Sequence, residues 1–279
     1  MPNPAYALVA SLIWAFSPIY YRAFMRKFDF LQLNLMRTSL GAAALAVPAL
    51  LLGFGTGTGY ALLSGLITLA VGDSLFLLSI GEMGASIATP VVYTYVLFVQ
   101  LTATTVGETV PAANVLAALM VVAGVFLISR GGGSKPRAKG IALGISAGLV
   151  WTAGQDLIRV ATNAGGNVVV VAFGRDFAAA LALAAAVIAT GRMRAWPKGF
   201  TKREYGFLAL IAVSDLALGS LLYVYSISVI GVAVTVILTS LSPLLTQILS
   251  KALGKESPSM RDFAGGALIV AAVTLAVIL

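Results

Sequence analysis

The sequence predicts an all-α membrane protein, with ten transmembrane helices arranged as two inverted five-helix repeats. Three observations predict it. Of 279 residues, 59% are hydrophobic and only 10% charged, with a mean hydropathy of +0.99, whereas soluble domains sit near half apolar and a quarter charged. The apolar runs accommodate ten spans of about 20 residues joined by short connections. Short motifs also recur in the same order in the two halves. A five-span repeat is odd-numbered, so the second copy enters the membrane in the opposite direction, the plan of many secondary transporters.

Taken in order, the spans are expected at 4–24, 30–53, 58–80, 84–106, 112–130, 138–161, 167–190, 204–229, 231–252 and 261–279. The opening stretch MPNPAYALVASLIWAFSP has no basic residue before Arg22 and no small-residue cleavage site, so it reads as span 1 rather than a cleaved signal. Glycine and proline recur inside the spans (Pro18, Gly41, Pro48, Gly72, Pro90, Gly148, Gly154, Pro243), where membrane helices tolerate them as packing and bending points. Spans 3 and 4, and again spans 8 and 9, meet at turns short enough to demand a tight reversal. RGGGSKPRAK, 130–139, is the one linker of note. The chain therefore divides into a first repeat (1–130), a basic glycine-rich linker (131–139) and a second, inverted repeat (140–279).

The repeat rests on four pairings. SLIWAFSPIYYR (11–22) lies over GLVWTAGQDLIR (148–159), matching Trp14 to Trp151 and Arg22 to Arg159. LMRTSLGAAALA (35–46) lies over FGRDFAAALALA (173–184), matching Arg37 to Arg175. SIGEMG (79–84) lies over SISVIG (226–231), and ALMVVAG (118–124) over ALIVAAV (267–273).

A net charge of +8 would point to nucleic acid in a soluble chain. Here fifteen of the eighteen basic residues follow odd-numbered spans, so the positive-inside rule explains them and places those loops in the cytoplasm and both termini outside. The expected partners are the lipid bilayer and a small-molecule substrate, with no nucleic acid and a monomer as the working unit. The chain has no cysteine and no histidine. Thiol chemistry is excluded, any metal site would need carboxylates alone, and neither a metal nor a cofactor is expected. All seven lysines fall in or beside loops, leaving no mid-membrane Schiff base. An enzyme would have to work through a carboxylate dyad such as Asp156 with Asp176, and nothing sets their spacing; none is expected.

Charges inside spans carry the sharpest signal. A charge at the bilayer centre costs about 2.5–3.5 kcal/mol on insertion scales, so Arg37, Asp73, Asp156, Arg175, Asp176 and Asp215 should face the interior and pair. Depth along the helices predicts one Arg–Asp contact per half, Arg37 with Asp73 and Arg175 with Asp156. Each serves as a static clasp or as a gate that forms while the other breaks. Asp215, nearest the midplane, is the candidate proton site or amine-binding carboxylate.

Trp14, Pro18 and Arg22 on span 1, and Trp151, Gln155 and Arg159 on span 6, recur at helical spacing. Tryptophan in mid-span lies away from the interfacial belt. It serves either as a flat cavity wall for an organic side chain or cation, or as packing against small residues. Polar stripes run along span 4 (Ser86, Thr89, Tyr93, Gln100, Thr104) and span 9 (Thr235, Thr239, Ser242, Thr246, Ser250), flanked by Tyr93, Tyr95, Tyr223 and Tyr225. Trp14, Pro18, Tyr93, Tyr95, Gln100, Trp151, Gln155, Thr239 and Ser242 are thus the candidate binding residues. Arg37, Asp73, Asp156, Arg175 and Asp215 are the candidate gating or coupling residues. A neutral, hydrogen-bonding, partly aromatic lining suits a zwitterion or uncharged metabolite better than a polyphosphate, which calls for clustered basic groups.

The tryptophan in the first span of each half, Gly107-Glu108 after span 4 with Gly254-Lys255-Glu256 as its second copy, Leu241-Ser242-Pro243 in span 9 and Gly124-Val125 in span 5 resemble the drug/metabolite transporter superfamily, EamA type. Within it the chain looks most like the bacterial YddG-like amino-acid exporters. The resemblance covers the whole chain. It implies a multi-pass protein of the bacterial inner membrane that exports neutral or aromatic amino acids by alternating access. Two departures stand out. Tyr95 occupies the place of the span-4 proline, with Pro90 five residues earlier. Relatives also keep both termini in the cytoplasm, whereas the loop charges here put them outside. Carriage of nucleotide sugars, organic phosphates or drugs, and a receptor or scaffold role, are the competing readings.

Overall fold

The computed structural model describes residues 4–129, 137–195, 200–253 and 260–278. Its ten described spans are span 1 (Ala5–Phe24), span 2 (Phe30–Leu52), span 3 (Thr58–Met83), span 4 (85–106), span 5 (Ala112–Ser129), span 6 (Ala138–Asn163), span 7 (Val168–Ala189), span 8 (Lys202–Ile230), span 9 (232–252) and span 10 (Met260–Ile278). No strand occurs among the described residues, and the fold is the all-α bundle expected. Eight of the helices have the length and apolarity to cross a membrane; Ala112–Leu127 and Ala264–Ile278, in spans 5 and 10, are shorter apolar helices. Residues 131–136 of the expected linker lie outside the described residues.

Local chemistry sets the helix ends. Asp29 caps span 2 by accepting from the Leu31 amide, while Gln32 accepts back from the Asp29 amide. Asn167 caps span 7 by accepting from the Val169 amide, and Thr201 with Glu204 forms a capping box on span 8. The two tight reversals are twins. Gly84 joins spans 3 and 4 at φ +84°, ψ 161°, and Gly231 joins spans 8 and 9 at φ +84°, ψ 164°, a conformation that strongly favours glycine.

Packing between the halves obeys one rule. Span 5 packs on span 10 and span 2 on span 7. The contacts of span 3 with 6, span 4 with 6 and span 3 with 7 reappear with the repeats exchanged as span 8 with 1, span 9 with 1 and span 8 with 2. Large apolar side chains such as Leu12, Phe16, Leu50, Leu51, Leu181 and Leu210 are exposed, as a lipid-facing surface requires.

Two irregularities are also shared. Leu66–Gly72 in span 3 and Val213–Gly219 in span 8 are π-helical at aligned positions. Wide turns of this kind mark functional sites, and here side chains from other spans take carbonyls within them: Asn34 Nδ2 donates to Leu69 O at 2.7 Å and Trp14 Nε1 to Asp215 O at 3.2 Å. Spans 4 and 9 break at aligned points, around Tyr93–Thr94 and at Ser240. Both breaks carry i→i−3 bonds, Thr94 N to Val91 O and Ser240 N to Ile237 O. Pro243 cannot bond the Thr239 carbonyl, which accounts for the second break. Pro90 lies ahead of the first break and does not account for it. Broken backbone is tolerated at membrane depth where protein or a cavity surrounds it.

Candidate functional site

The two π segments and the broken span 4 meet at one cavity of about 80 Å³. Trp14, Pro18, Tyr93, Tyr95, Trp151 and Gln155 line it, together with Arg37, Asp73, Arg175 and Asp215. Ten of the fourteen expected site residues therefore share one space. Ligand pockets usually enclose about 300–1,000 Å³, so this cavity is small for an organic molecule.

Arg37 organises one end. Its Nη2 lies 3.2 Å from Asp73 Oδ2 and 2.9 Å from Asp215 Oδ2, and all three side chains are buried. The guanidinium stacks over the Tyr21 ring at 4.2 Å, and the Tyr21 hydroxyl donates to the same Asp215 oxygen at 2.5 Å. Trp151 Nε1 donates to Asp73 Oδ1 at 3.0 Å. Spans 1, 2, 3, 6 and 8 are thereby joined through one buried cluster.

Arg175 stands at the aligned place in the second half, but its partners are hydroxyls. Nε donates to Ser64 Oγ at 3.1 Å and Nη1 to Ser220 Oγ at 2.9 Å. Ser220 aligns with Asp73, and Thr68 aligns with Asp215. One partner position is shared, Asp73 with Ser220, while Ser64 aligns with Ile211 and Thr68 Oγ1 has no hydrogen-bond partner. The first arginine has two carboxylates, and its twin has alcohols. The expected contact of Arg175 with Asp156 is not formed. Arg175 turns to the two serines, and Asp156, half-buried on span 6, keeps Oδ1 without a partner.

The tryptophans follow the same symmetry. Trp151 packs where a Cβ on Gly72 would fall 2.5 Å from its Cδ1, and Trp14 where a Cβ on Gly219 would fall 2.7 Å from its Nε1. Trp14 meets Tyr223 at 4.8 Å between ring centroids, and Trp151 meets the aligned Phe76 at 5.4 Å. Each repeat thus lends its tryptophan to the other repeat's π segment. Tyr95 completes the wall, edge-on to Trp151 at 5.6 Å.

Three expected binding residues are used elsewhere. Gln100 donates to Ala233 O at 3.0 Å, Thr239 to Thr235 O at 3.1 Å and Ser242 to Ser11 O at 3.0 Å. Gln100 and Ser242 fasten one span to another, Thr239 bonds within its own helix, and all three lie outside the cavity lining. Tyr225 is part-exposed against Tyr6 rather than buried beside the stripe, and the side chains of Ser86 and Ser250 lie outside the described residues. Conversely, sequence reasoning missed Tyr21, Thr68 and Ser220 as lining residues. A tyrosine, threonine and serine in apolar spans carry no warning, and only the alignment of the two π segments marks the last two.

A separate cluster closes one end of the bundle. Glu108, after span 4, accepts from the Val232 and Ala233 amides at 2.6 and 3.0 Å, placing its carboxylate on the N-terminus of span 9. Arg159 Nε lies 2.9 Å from Glu108 Oε1, and its Nη1 donates to Ile227 O at 3.0 Å. Among the described residues no group of acidic side chains has the arrangement of a metal site.

Two five-helix repeats sharing one polar cavity define a multi-pass membrane protein of the inverted-repeat class. The chain belongs to the EamA-like transporter family of the drug/metabolite transporter superfamily, whose profile matches twice, at residues 4–130 and 138–278; members of that family are transporters of small molecules. No curated protein matches the sequence. A solved structure described only as "Crystal structure of protein" shares the fold, with a TM-score of 0.79 and 18% identity over 99% of this chain and 95% of that one.

Proposed function

We propose that the protein is a secondary transporter of the bacterial inner membrane that exports small zwitterionic metabolites, neutral and aromatic amino acids foremost, by alternating access. One observation carries the reading: the aligned arginines have opposite surroundings. Arg37 is paired with the Asp73 and Asp215 carboxylates, which outnumber it, and Arg175 is hydrogen-bonded to the Ser64 and Ser220 hydroxyls without an ion pair. A substrate ammonium is matched to the Asp215 and Asp73 end, and its carboxylate to the Arg175 fork. Trp14, Trp151 and Tyr95 offer apolar faces between the two, suited to a neutral side chain. A nucleotide sugar or organic phosphate fits poorly, because Arg37 is already neutralised and its two carboxylates would repel the phosphate. The working unit is a monomer, since both halves of the cavity come from one chain.

Uptake of a panel of radiolabelled solutes into proteoliposomes tests this. Neutral amino acids from alanine to tryptophan are expected to cross, an amine or a carboxylic acid alone to cross more slowly, and Trp14→Ala or Trp151→Ala to slow all of them. Preferential uptake of a sugar nucleotide overturns the substrate class. No uptake of any solute leaves a receptor or scaffold.

A further inference from the structure

Asp176 follows Arg175 on span 7, yet it faces away from the cavity. It is fully buried, and neither carboxyl oxygen has a hydrogen-bond partner. Its side chain is pressed against Gly41 of span 2, where a Cβ would collide with Oδ2, and near Leu216 of span 8. Leu69, Ala179 and Leu216 form the apolar cluster of this region. The charges acting on Asp176 come from each element around it: Arg175 from its own span, Arg37 from span 2, Asp215 from span 8 and Asp73 from span 3. Those four sum to zero, so an ionised Asp176 would be a fifth charge, buried with nothing to balance it. A buried charge in a membrane is costly unless an ion pair or hydrogen bonds compensate it. Arg175 has the Ser64 and Ser220 hydroxyls, whereas neither oxygen of Asp176 has a hydrogen-bond partner. Neighbouring residues on a helix do not face each other, which is why Arg175 does not serve.

We infer that Asp176 is a proton-binding site, and that its proton is exchanged for substrate during the cycle. The exchange rests on the transport reading above; the proton itself does not. Span 2 supplies the link, because Arg37 and Gly41 lie one turn apart on it. A substrate ammonium that takes Asp215 releases Arg37, which then can serve Asp176 as counter-ion, and the proton leaves. When substrate departs, Arg37 returns to Asp215 and Asp176 must take up a proton again. Export of one substrate thus accompanies entry of one proton.

Infrared difference spectra of the purified protein at pH 7, wild type against Asp176→Asn, test the site. A protonated-carboxyl C=O band is expected in the wild type and absent from the variant, and Gly41→Ala should shift it. Absence of the band from the wild type overturns the inference. In proteoliposomes with the membrane potential held at zero by potassium and valinomycin, an inside-acid gradient of one pH unit should sustain up to about tenfold accumulation of radiolabelled phenylalanine for a one-to-one exchange. Asp176→Asn should abolish that accumulation while leaving phenylalanine counterflow at equal pH. Equal accumulation by both proteins overturns the coupling. Failure of phenylalanine to cross under any condition counts against the proposed substrate, and the infrared band then still decides the proton site.

Discussion

At the scale of single residues, the buried arginines invite opposite outcomes. Arg37 neutralises two carboxylates, so Arg37→Met would leave Asp73 and Asp215 uncompensated in the interior. Breaking a buried pair in this way costs about 3–5 kcal/mol, and thermal unfolding in detergent should show a large fall in Tm. Arg175 has only hydroxyls as hydrogen-bond partners, so its loss breaks no direct ion pair. Arg175→Gln should leave the protein folded but remove the carboxylate anchor. A charge-assisted hydrogen bond is worth about 1.5–3 kcal/mol, which corresponds to roughly 10–100-fold in affinity, readable as a raised KM for amino-acid uptake. A variant that unfolds as readily as Arg37→Met would deny Arg175 that role. The Arg37–Asp73 contact was legible in the sequence because two charges at one depth on neighbouring spans of one repeat have few other partners. The links of Tyr21 and Asp215 were not, because they cross between repeats, where depth alone does not select a neighbour. Nor was the fate of Gln100, Thr239 and Ser242. A polar stripe marks a buried face, but hydroxyls and amides on it can be consumed by backbone carbonyls, and these are.

At the scale of helices, the paired π segments explain how each half holds the other's tryptophan. Glycine at the last position of each segment leaves the space the indole fills. Gly72→Ala and Gly219→Ala should therefore act alike, each displacing an indole and slowing transport, with Gly219→Ala also parting Trp14 from the Asp215 carbonyl. Tryptophan fluorescence should shift in both variants; an unchanged spectrum would show that the indoles are not seated by these glycines. Hydrophobic periodicity placed all ten helices within a few residues but could not reveal the π turns, whose local sequence is as apolar as the rest. The reversals at Gly84 and Gly231 were legible from their brevity. Glu108 makes a second test at this scale. As Glu108→Gln it keeps its shape but loses the charge that meets the span 9 N-terminus and Arg159. Such an anion is worth about 0.3–1 kcal/mol, and up to ~2 kcal/mol when partly buried, and amide exchange at Val232 and Ala233 should quicken accordingly.

At the scale of the whole molecule, inverted symmetry couples fold to orientation. With an odd number of spans per repeat, the sidedness of every connection follows once a single loop is placed. By the charge rule, the basic residues after spans 1, 5, 7 and 9 predict that those loops face the cytoplasm and the Glu108–Arg159 cluster the outer side. The described part of those basic connections carries surface ion pairs, Lys27 with Glu204 at 2.5 Å and Lys139 with Glu82 at 2.7 Å. Such pairs contribute little to stability, so they do not account for the clustering of basic residues there. Because the chain has no cysteine, one introduced thiol reports one loop. Thr56→Cys, between spans 2 and 3, should react with a membrane-impermeant maleimide added to intact cells. Ser134→Cys, between the repeats, should react only after the membrane is opened. The reverse pattern would invert the assignment: the Glu108–Arg159 cluster would then close the cytoplasmic end, and a chain carrying its basic loops outside would violate the charge rule across nearly all its connections. Labelling of both sites from outside would mean a population inserted in both directions. Four strongly biased loops make that the least economical outcome for this sequence, since each basic loop opposes the flip independently.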